Sequence, residues 1–354
     1  MLARTAFSFL ILAWVPAARI SARYSTKSGD PVRLLYEFPY DTYVENLAVR
    51  PNGQILVTPL NIPQLWLVEP DLPGEAFVAY EFPGVLGLTG IVEYQPDVFA
   101  VVTGNFSVST GDPGLGTWAI WSIDLGGVNI TSNETTLASP PRVRKITTIS
   151  EATALNGLSV LSSAEEQYLI VGDVKTGVIY SAEVETGEYA AIVNNTYTEP
   201  APIYGFGTAA TDGIKVVEDV LYFGNCGQGI FVKTHLNASD GTPVGDFEVV
   251  ATKLTSLDQW DDFTFDCEGK VFIAAGGANT VQRIDSRGSV KIIAGNLNST
   301  AIAEATATKF GRRENDDDVL YVTTAGGVAT PVDGTIILGG QVLAIEMQSK
   351  GSNC

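Results

Sequence analysis

Histidine is nearly missing from this chain. His235 is the single one in 354 residues, and it sits in the polar stretch THLNASDG, which reads as a loop. Ser-His-Asp and Cys-His catalysis have almost no material to work with, and zinc sites built on paired histidines are excluded. Cysteine is scarce as well. Cys226, Cys267 and Cys354 are three in number, so at least one thiol is free or bridged to another chain. A core cannot rest on so few bridges and must come from apolar burial. Positive charge is also short, with 21 Lys and Arg against 40 Asp and Glu and a net charge of −19. Such a surface repels phosphate backbones and anionic headgroups, which sets nucleic-acid and membrane partners aside. No segment beyond the N-terminal region approaches a bilayer span. No segment keeps a helical period either, although ISEATALNG leaves room for one helical turn.

The N-terminal region is different. Arg4 supplies a basic start, Phe7 to Val15 an apolar run, and Ala17, Ala18 and Ala22 small residues beyond it. This is the grammar of a secretory signal peptide over residues 1–22, with an apolar run too short to span a bilayer. Six N-x-[ST] sequons, at Asn105, Asn129, Asn133, Asn194, Asn237 and Asn298, fit glycosylation on the secretory route. The expected destination is an extracellular space or an organelle lumen.

Residues 23–354 repeat. The unit is a polar residue, a short apolar strand, a turn with Gly, Asp or Asn, and a strand rich in Val, Ile and aromatics. The polar residue is Glu45 in ENLAVRPNGQILVTP, Thr89 in LTGIVEYQPDVFAVVTGN, and Asn156 in LNGLSVLSSAEEQYLIVGD. It is Asp212 in TDGIKVVEDVLYFGN, Asp261 in WDDFTFDCEGKVFIAAG, and Thr306 in TATKFGRRENDDDVLYVTTAGG. The spacings are 44, 67, 56, 49 and 45 residues. Third strands follow in QLWLVEP, GTWAIWSIDL, GVIYSAEV and NTVQRIDSRG, and fourth strands as in SVKIIAG. Four strands per repeat at this period predict an all-β, six-bladed β-propeller with four-stranded antiparallel blades in one domain. The last repeat lacks a fourth strand. The unassigned N-terminal segment VRLLYEFPY is expected to supply it and close the ring. The long third interval, with paired sequons, predicts an exposed outer loop.

In a propeller the first strand of each blade lies nearest the axis. The residue just before it belongs to the loop entering the blade, on the face of the central pocket. Glu45, Thr89, Asn156, Asp212, Asp261 and Thr306 should therefore converge there. Asp262, where other blades have Gly or Asn, reads as a turn residue. Asn, Asp and Thr are ordinary turn residues, so each position also has a purely conformational reading. A glutamate has no such reading, which singles out Glu45. Three carboxylates facing one axis repel unless a cation, a shared proton or a ligand holds them. Second strands end nearby at Thr58, Thr103, Asp173, Asn225 and Thr324, with Asn61 and Asn105 close. Trp260 and Tyr204 precede inner strands and are expected at the pocket wall, whereas Trp66, Trp118 and Trp121 fall on third strands and read as packing between blades. The glycines of FGTAATDG and TTAGG read as blade turns. Cys226 and Cys267 belong to opposite faces, which argues against a bridge between them.

The quoted repeats resemble the six-bladed family of senescence-marker protein, gluconolactonase and strictosidine synthase. ENLAVRPNGQILVT, LNGLSV, WDDFTFDCEGKVFIAA with NTVQRID, and ATKFGRRENDDDVLYVTTAGG carry the likeness, which is strongest to a secreted fungal branch tied to secondary metabolism. The resemblance implies a calcium site in the lactonase members, whose Glu and Asp fall on Glu45 and Asp261. Their metal-binding Asn falls on Asp212, a departure, and a substrate-contacting Asn on Asn156. Other fungal relatives are similar to hetero-Diels–Alder cyclases, which join a polyketide-derived quinone methide of tropolone or polyphenol origin to a terpene alkene. Such a cycloaddition moves no net proton and needs no histidine, metal or redox cofactor. It needs a dry pocket, held orientation and a few polar groups on the heterodiene oxygen.

The first expectation is therefore a cofactor-free hetero-Diels–Alder cyclase of a meroterpenoid pathway. Glu45, Asn156, Asp212 and Asp261 would be the catalytic residues, and Thr89, Thr306, Asn61, Asn225, Trp260 and Tyr204 the substrate contacts. The alternative is a Ca²⁺-dependent lactonase with Glu45, Asp212 and Asp261 on the metal. A non-catalytic ligand-binding propeller is the third possibility, since one fold hosts many functions.

Overall fold

The computed structural model describes residues 32–128, 140–162, 166–204 and 207–351. The expected signal peptide, Asn129, Asn133 and Cys354 lie outside them. Among the described residues there is no helix, and strands form six four-stranded antiparallel sheets arranged as the blades of a propeller. In the first five blades the strands lie in chain order from the axis outward, as in Val44–Val49, Ile55–Pro59, Gln64–Val68 and Ala76–Glu81 of the first.

Burial explains the composition of the strands. A second strand is covered on both faces by neighbouring blades, so Ile55–Pro59 and Val271–Ala275 are buried at every residue and read as unbroken apolar runs. A fourth strand lies at the rim, and Tyr189–Val193 buries only its last residue. The core is divided among the six blade junctions. Leu56 and Leu67 of the first blade, for example, pack with Ile91, Phe99 and Ile123 of the second. The sixth blade is built from both ends of the chain. Val32–Glu37 pairs with Gln341–Glu346 and is its outermost strand, as the strand count required.

Three local features depart from the sequence reading. First, the stretch around FGTAATDG is no simple blade turn. Ala201–Ile203 and Gly207–Ala209 form an extra two-stranded hairpin between the third and fourth blades. Second, His235 is the last residue of the strand Ile230–His235, not a loop residue, and its exposed ring lies 3.1 Å from Asp219. Third, Asp262 is not a turn residue. It is buried near the axis, where both its oxygens accept from the Lys215 ammonium at 2.6 Å and one also accepts from Asn46 at 2.9 Å. The cysteines follow expectation: Cys226 is free and buried, and Cys267 is disulfide-bonded.

Candidate active site

Each innermost strand carries one extra residue at the same place. Two residues of the first strand advance against one of the second between Val44 and Asn46, and the pairing skips similarly at Leu88/Ile91 and Leu155/Leu158. It does so again at Thr211/Ile214, Trp260/Phe263 and Ala305/Ala307. A bulge of this kind bends the strand and re-aims a side chain. The bulged positions are Glu45, Thr89, Asn156, Asp212, Asp261 and Thr306, so these six lie inside the strands and not in entry loops. The residue after three of them is glycine for a reason unrelated to turns. A Cβ on Gly90 would stand 2.2 Å from the Asn156 carbonyl oxygen, one on Gly157 2.1 Å from that of Asp212, and one on Gly213 2.6 Å from that of Asp261. The inner strands touch backbone to backbone, and only glycine permits that approach.

Five of the six bulged residues, Glu45, Thr89, Asn156, Asp212 and Asp261, line a pocket at one end of the axis with roughly 750 Å³ of open space including its mouth. Its wall is largely apolar, with Leu60, Phe106, Trp118, Leu155 and Ile203, and Lys175 adds one cation to it. Its floor is acidic. One oxygen from each of Glu45, Asp212 and Asp261 lies within 4.8 Å of the others. The Asn156 amide nitrogen donates to Glu45 Oε1 and to Asp212 Oδ1, both at 2.7 Å, and so ties the third blade to the first and the fourth. Carboxyl oxygens of Asp212 and Asp261 lie within 4.8 Å of each other, where two negative charges repel and a shared proton or a cation relieves them.

Burial raises the Glu45 carboxyl to about 7, against the stabilising Asn156 amide and helped by the charge on Asp262. Asp212 and Asp261 are raised well above the carboxylate range, by burial first; the charges of Glu45 and Asp262 add to this at Asp212, and those of Asp212, Glu45 and Asp262 at Asp261. The thiol of Cys226, also in the pocket, is pushed up by burial and the same carboxylates and is no nucleophile at neutral pH.

Other expected contacts lie elsewhere. Thr306 is fully buried and donates to the Val44 carbonyl, bracing the ring between the sixth and first blades. Trp260, expected at the wall, is fully buried in the packing of the fourth and fifth blades and donates to Gln282. Asn225 is buried with its amide spent on the carbonyls of Tyr197 and Glu199. Asn61 is exposed and holds the turn before the first blade by accepting from Tyr43 N. Tyr204 is exposed at the extra hairpin, and its carbonyl accepts from Gln259. Of the sequons, Asn194 and Asn298 are exposed, and Asn105 and Asn237 partly so.

Sequence reasoning missed Tyr43, Glu304, Gln259 and Trp118, which all line the pocket. Tyr43 is buried, and burial followed by the charge of Glu45 keeps its phenol neutral. Glu304 is buried, accepts from Ala329 N at 3.0 Å, and is raised to about 7 by burial. Tyr43, Gln259 and Glu304 each stand two residues before a bulged position. In a strand that spacing returns to the same side, one step nearer the mouth. Trp118 was assigned to packing. It does pack, but one face lines the pocket while its indole N–H donates to the carbonyls of Pro113 and Thr153.

No family model matches the chain. Two curated proteins do. One, from a Phoma species and assigned as a hetero-Diels-Alderase, is 28% identical over 320 residues, covering 83% of this chain and 86% of its own. The other, assigned as the hetero-Diels-Alderase asR5 of Sarocladium schorii, is 26% identical over 364 residues, covering 92% and 86%. The chain is a homologue of proteins assigned as hetero-Diels-Alderases. Solved structures share its propeller. A luciferin-regenerating enzyme superposes with a TM-score of 0.61 at 14% identity, over 90% of this chain and 96% of its own. Regucalcin from Agrobacterium tumefaciens, a calcium-binding protein, superposes with a TM-score of 0.56 at 17% identity, over 90% and 94%. At such identities the likeness carries the fold and nothing of the chemistry.

Proposed function

We propose that this protein is a pericyclase. It holds a polyketide-derived quinone methide, of tropolone or polyphenol origin, and a terpene alkene in the axial pocket and joins them by a hetero-Diels–Alder [4+2] cycloaddition. The exocyclic carbon of the quinone methide bonds to one alkene carbon, and its carbonyl oxygen bonds to the other. Two π bonds become two σ bonds, the third moves into the ring, and nothing leaves. The observation that carries this reading is a cluster of three converging carboxyls, each raised by burial, at the floor of a largely apolar pocket. The names of the two relatives support it.

Each part has a physical role. The wall residues Leu60, Phe106, Trp118 and Leu155 exclude water from a heterodiene that water would otherwise trap. Holding two reactants in one orientation removes much of the entropic barrier. A protonated carboxyl of the Asp212–Asp261 pair donates to the heterodiene oxygen, where negative charge grows as the carbon–carbon bond leads. Asn156 positions Glu45 and Asp212, and the neutral Tyr43 phenol offers a second donor. The reading assigns no metal and no redox cofactor to this step. It places the reaction in the secretory pathway, an extracellular space or an organelle lumen, on the strength of the leader-like N terminus and the sequons.

The test is to generate the quinone methide in place with a terpene alkene, protein and a chelator, and to resolve products by chiral chromatography. The expected result is a single dominant stereoisomer formed faster than background and unaffected by chelation. A racemic product at the background rate overturns the proposal.

One observation favours a second reading. The oxygens of Glu45, Asp212 and Asp261 form a hard donor set that fits Ca²⁺. A bound cation would polarise a lactone carbonyl and acidify water. Mass spectrometry after dialysis against calcium separates the two. About one ion per chain, lost in Asp261→Ala together with lactone hydrolysis, would establish the lactonase.

A further inference from the structure

The inner strands run away from the carboxylate pocket to the other end of the axis, and there the charge reverses. Ile91, Glu93, Thr264, Lys309, Phe310 and Arg312 line a second cavity with roughly 700 Å³ of open space including its mouth. Lys309 is partly buried, and among the described residues its ammonium has neither a hydrogen-bond nor an ion-pair partner. The other charges near it are accounted for. Lys215 is locked onto Asp262 at 2.6 Å, and Arg312 is paired with Glu93. Three cations therefore face two carboxylates, and one positive charge is left over on Lys309.

An unmatched ammonium in low dielectric is costly. Burial, the Lys215 ammonium and the Arg312 guanidinium push it down to about 8 in spite of the nearby carboxylates. The donors around it are not exhausted. Arg312 uses one terminal nitrogen, Nη1, on Glu93 and on the Val49 carbonyl, which leaves Nε and Nη2 directed elsewhere. Thr264 adds a buried hydroxyl to the same wall. The remaining walls, Ala48, Val49, Ile91, Val92 and Phe310, are apolar.

We propose that this cavity is a second binding site, for a small monocarboxylate with an apolar body, distinct from the pocket of the carboxylate ring. A carboxylate balances the single surplus charge and matches the fork geometry of a guanidinium beside an ammonium. The apolar walls cover the body of the ligand. A phosphate dianion would overshoot the charge, and a bare chloride would leave those walls wet. The Lys215–Asp262 pair is near both: Asp262 follows Asp261 in the chain, and the charges of both partners act on Lys309.

The experiment titrates the purified protein with 4-bromobenzoate by calorimetry and locates bromine by anomalous diffraction. The expected result is saturable binding with Kd at or below about 1 mM, with bromine in the cavity of Lys309. Lys309→Met should weaken binding at least tenfold without lowering thermal stability, since it removes an unpaired buried charge. Thr264→Val should weaken it severalfold and serves if Lys309→Met fails to fold. Absent binding, binding undiminished in the folded variants, or bromine in the other pocket overturns the proposal. Binding of inorganic phosphate or chloride in preference to 4-bromobenzoate overturns the assignment of a carboxylate.

Discussion

Glu304 and Glu45 face one pocket with the same functional group and comparable burial, yet only one announces itself in the sequence. Glu45 stands at the repeated bulge position and lacks any excuse as a turn residue. Glu304 stands two residues earlier, where the other repeats have Tyr43, Gly87, Ala154, Ala210 and Gln259. Nothing in that mixed set marks a site until the strand period is applied to it. Its chemistry is measurable without any substrate. Burial raises Glu304 to about 7 from an ordinary value of 4.5, so the folded chain holds this proton more tightly than the unfolded one. Stability from this group is therefore complete below pH about 4.5 and is lost as pH rises through about 7, the opposite of a salt-bridged carboxylate. Urea unfolding should give a larger free energy at pH 5 than at pH 8. In Glu304→Gln that difference should shrink, by up to about 3 kcal/mol. An unchanged difference would mean that Glu304 titrates as an ordinary surface carboxylate.

At the scale of the strand, the repeated dipeptides Thr-Gly, Asn-Gly and Asp-Gly are open to a turn reading from sequence. Their two members do different work in the bulge. The polar residue is turned to the axis, and the glycine lets the next blade approach. A bulge cannot be seen from period-two alternation, because one extra residue looks like an imperfect repeat. The extra hairpin at Ala201–Ile203 and Gly207–Ala209 was missed for a related reason: three-residue strands beside glycines look like a turn. Gly157 tests the account. Alanine there would drive its Cβ into the Asp212 backbone and must displace that strand. Overpacking of this kind costs about 1–3 kcal/mol, and stereochemical control of the proposed cycloaddition should fall with it, because Asp212 moves. Gly157→Ala with wild-type stability would show that the blades do not depend on this contact.

The whole molecule was the most legible level, because each repeat carries its own four strands and the count of strands left one blade short by one. That deficit, and not any local propensity of VRLLYE, identified the closing strand. Closure has an energetic consequence. In an open array the terminal blades would expose edges and fray first. Here Leu35 of the closing strand is 1% exposed and packs with Val44, Val57 and Tyr321, at the junction of the sixth and first blades. A truncation at Leu35 should then cost as much as one in the middle of a blade. Leu35→Ala and Leu56→Ala should each lower the unfolding free energy by about 2–5 kcal/mol, with a single transition in both. If Leu35→Ala costs under about 1 kcal/mol while Leu56→Ala costs the full amount, the closing strand is frayed. The sixth blade would then stand on three strands, with Gln341–Glu346 as its exposed edge.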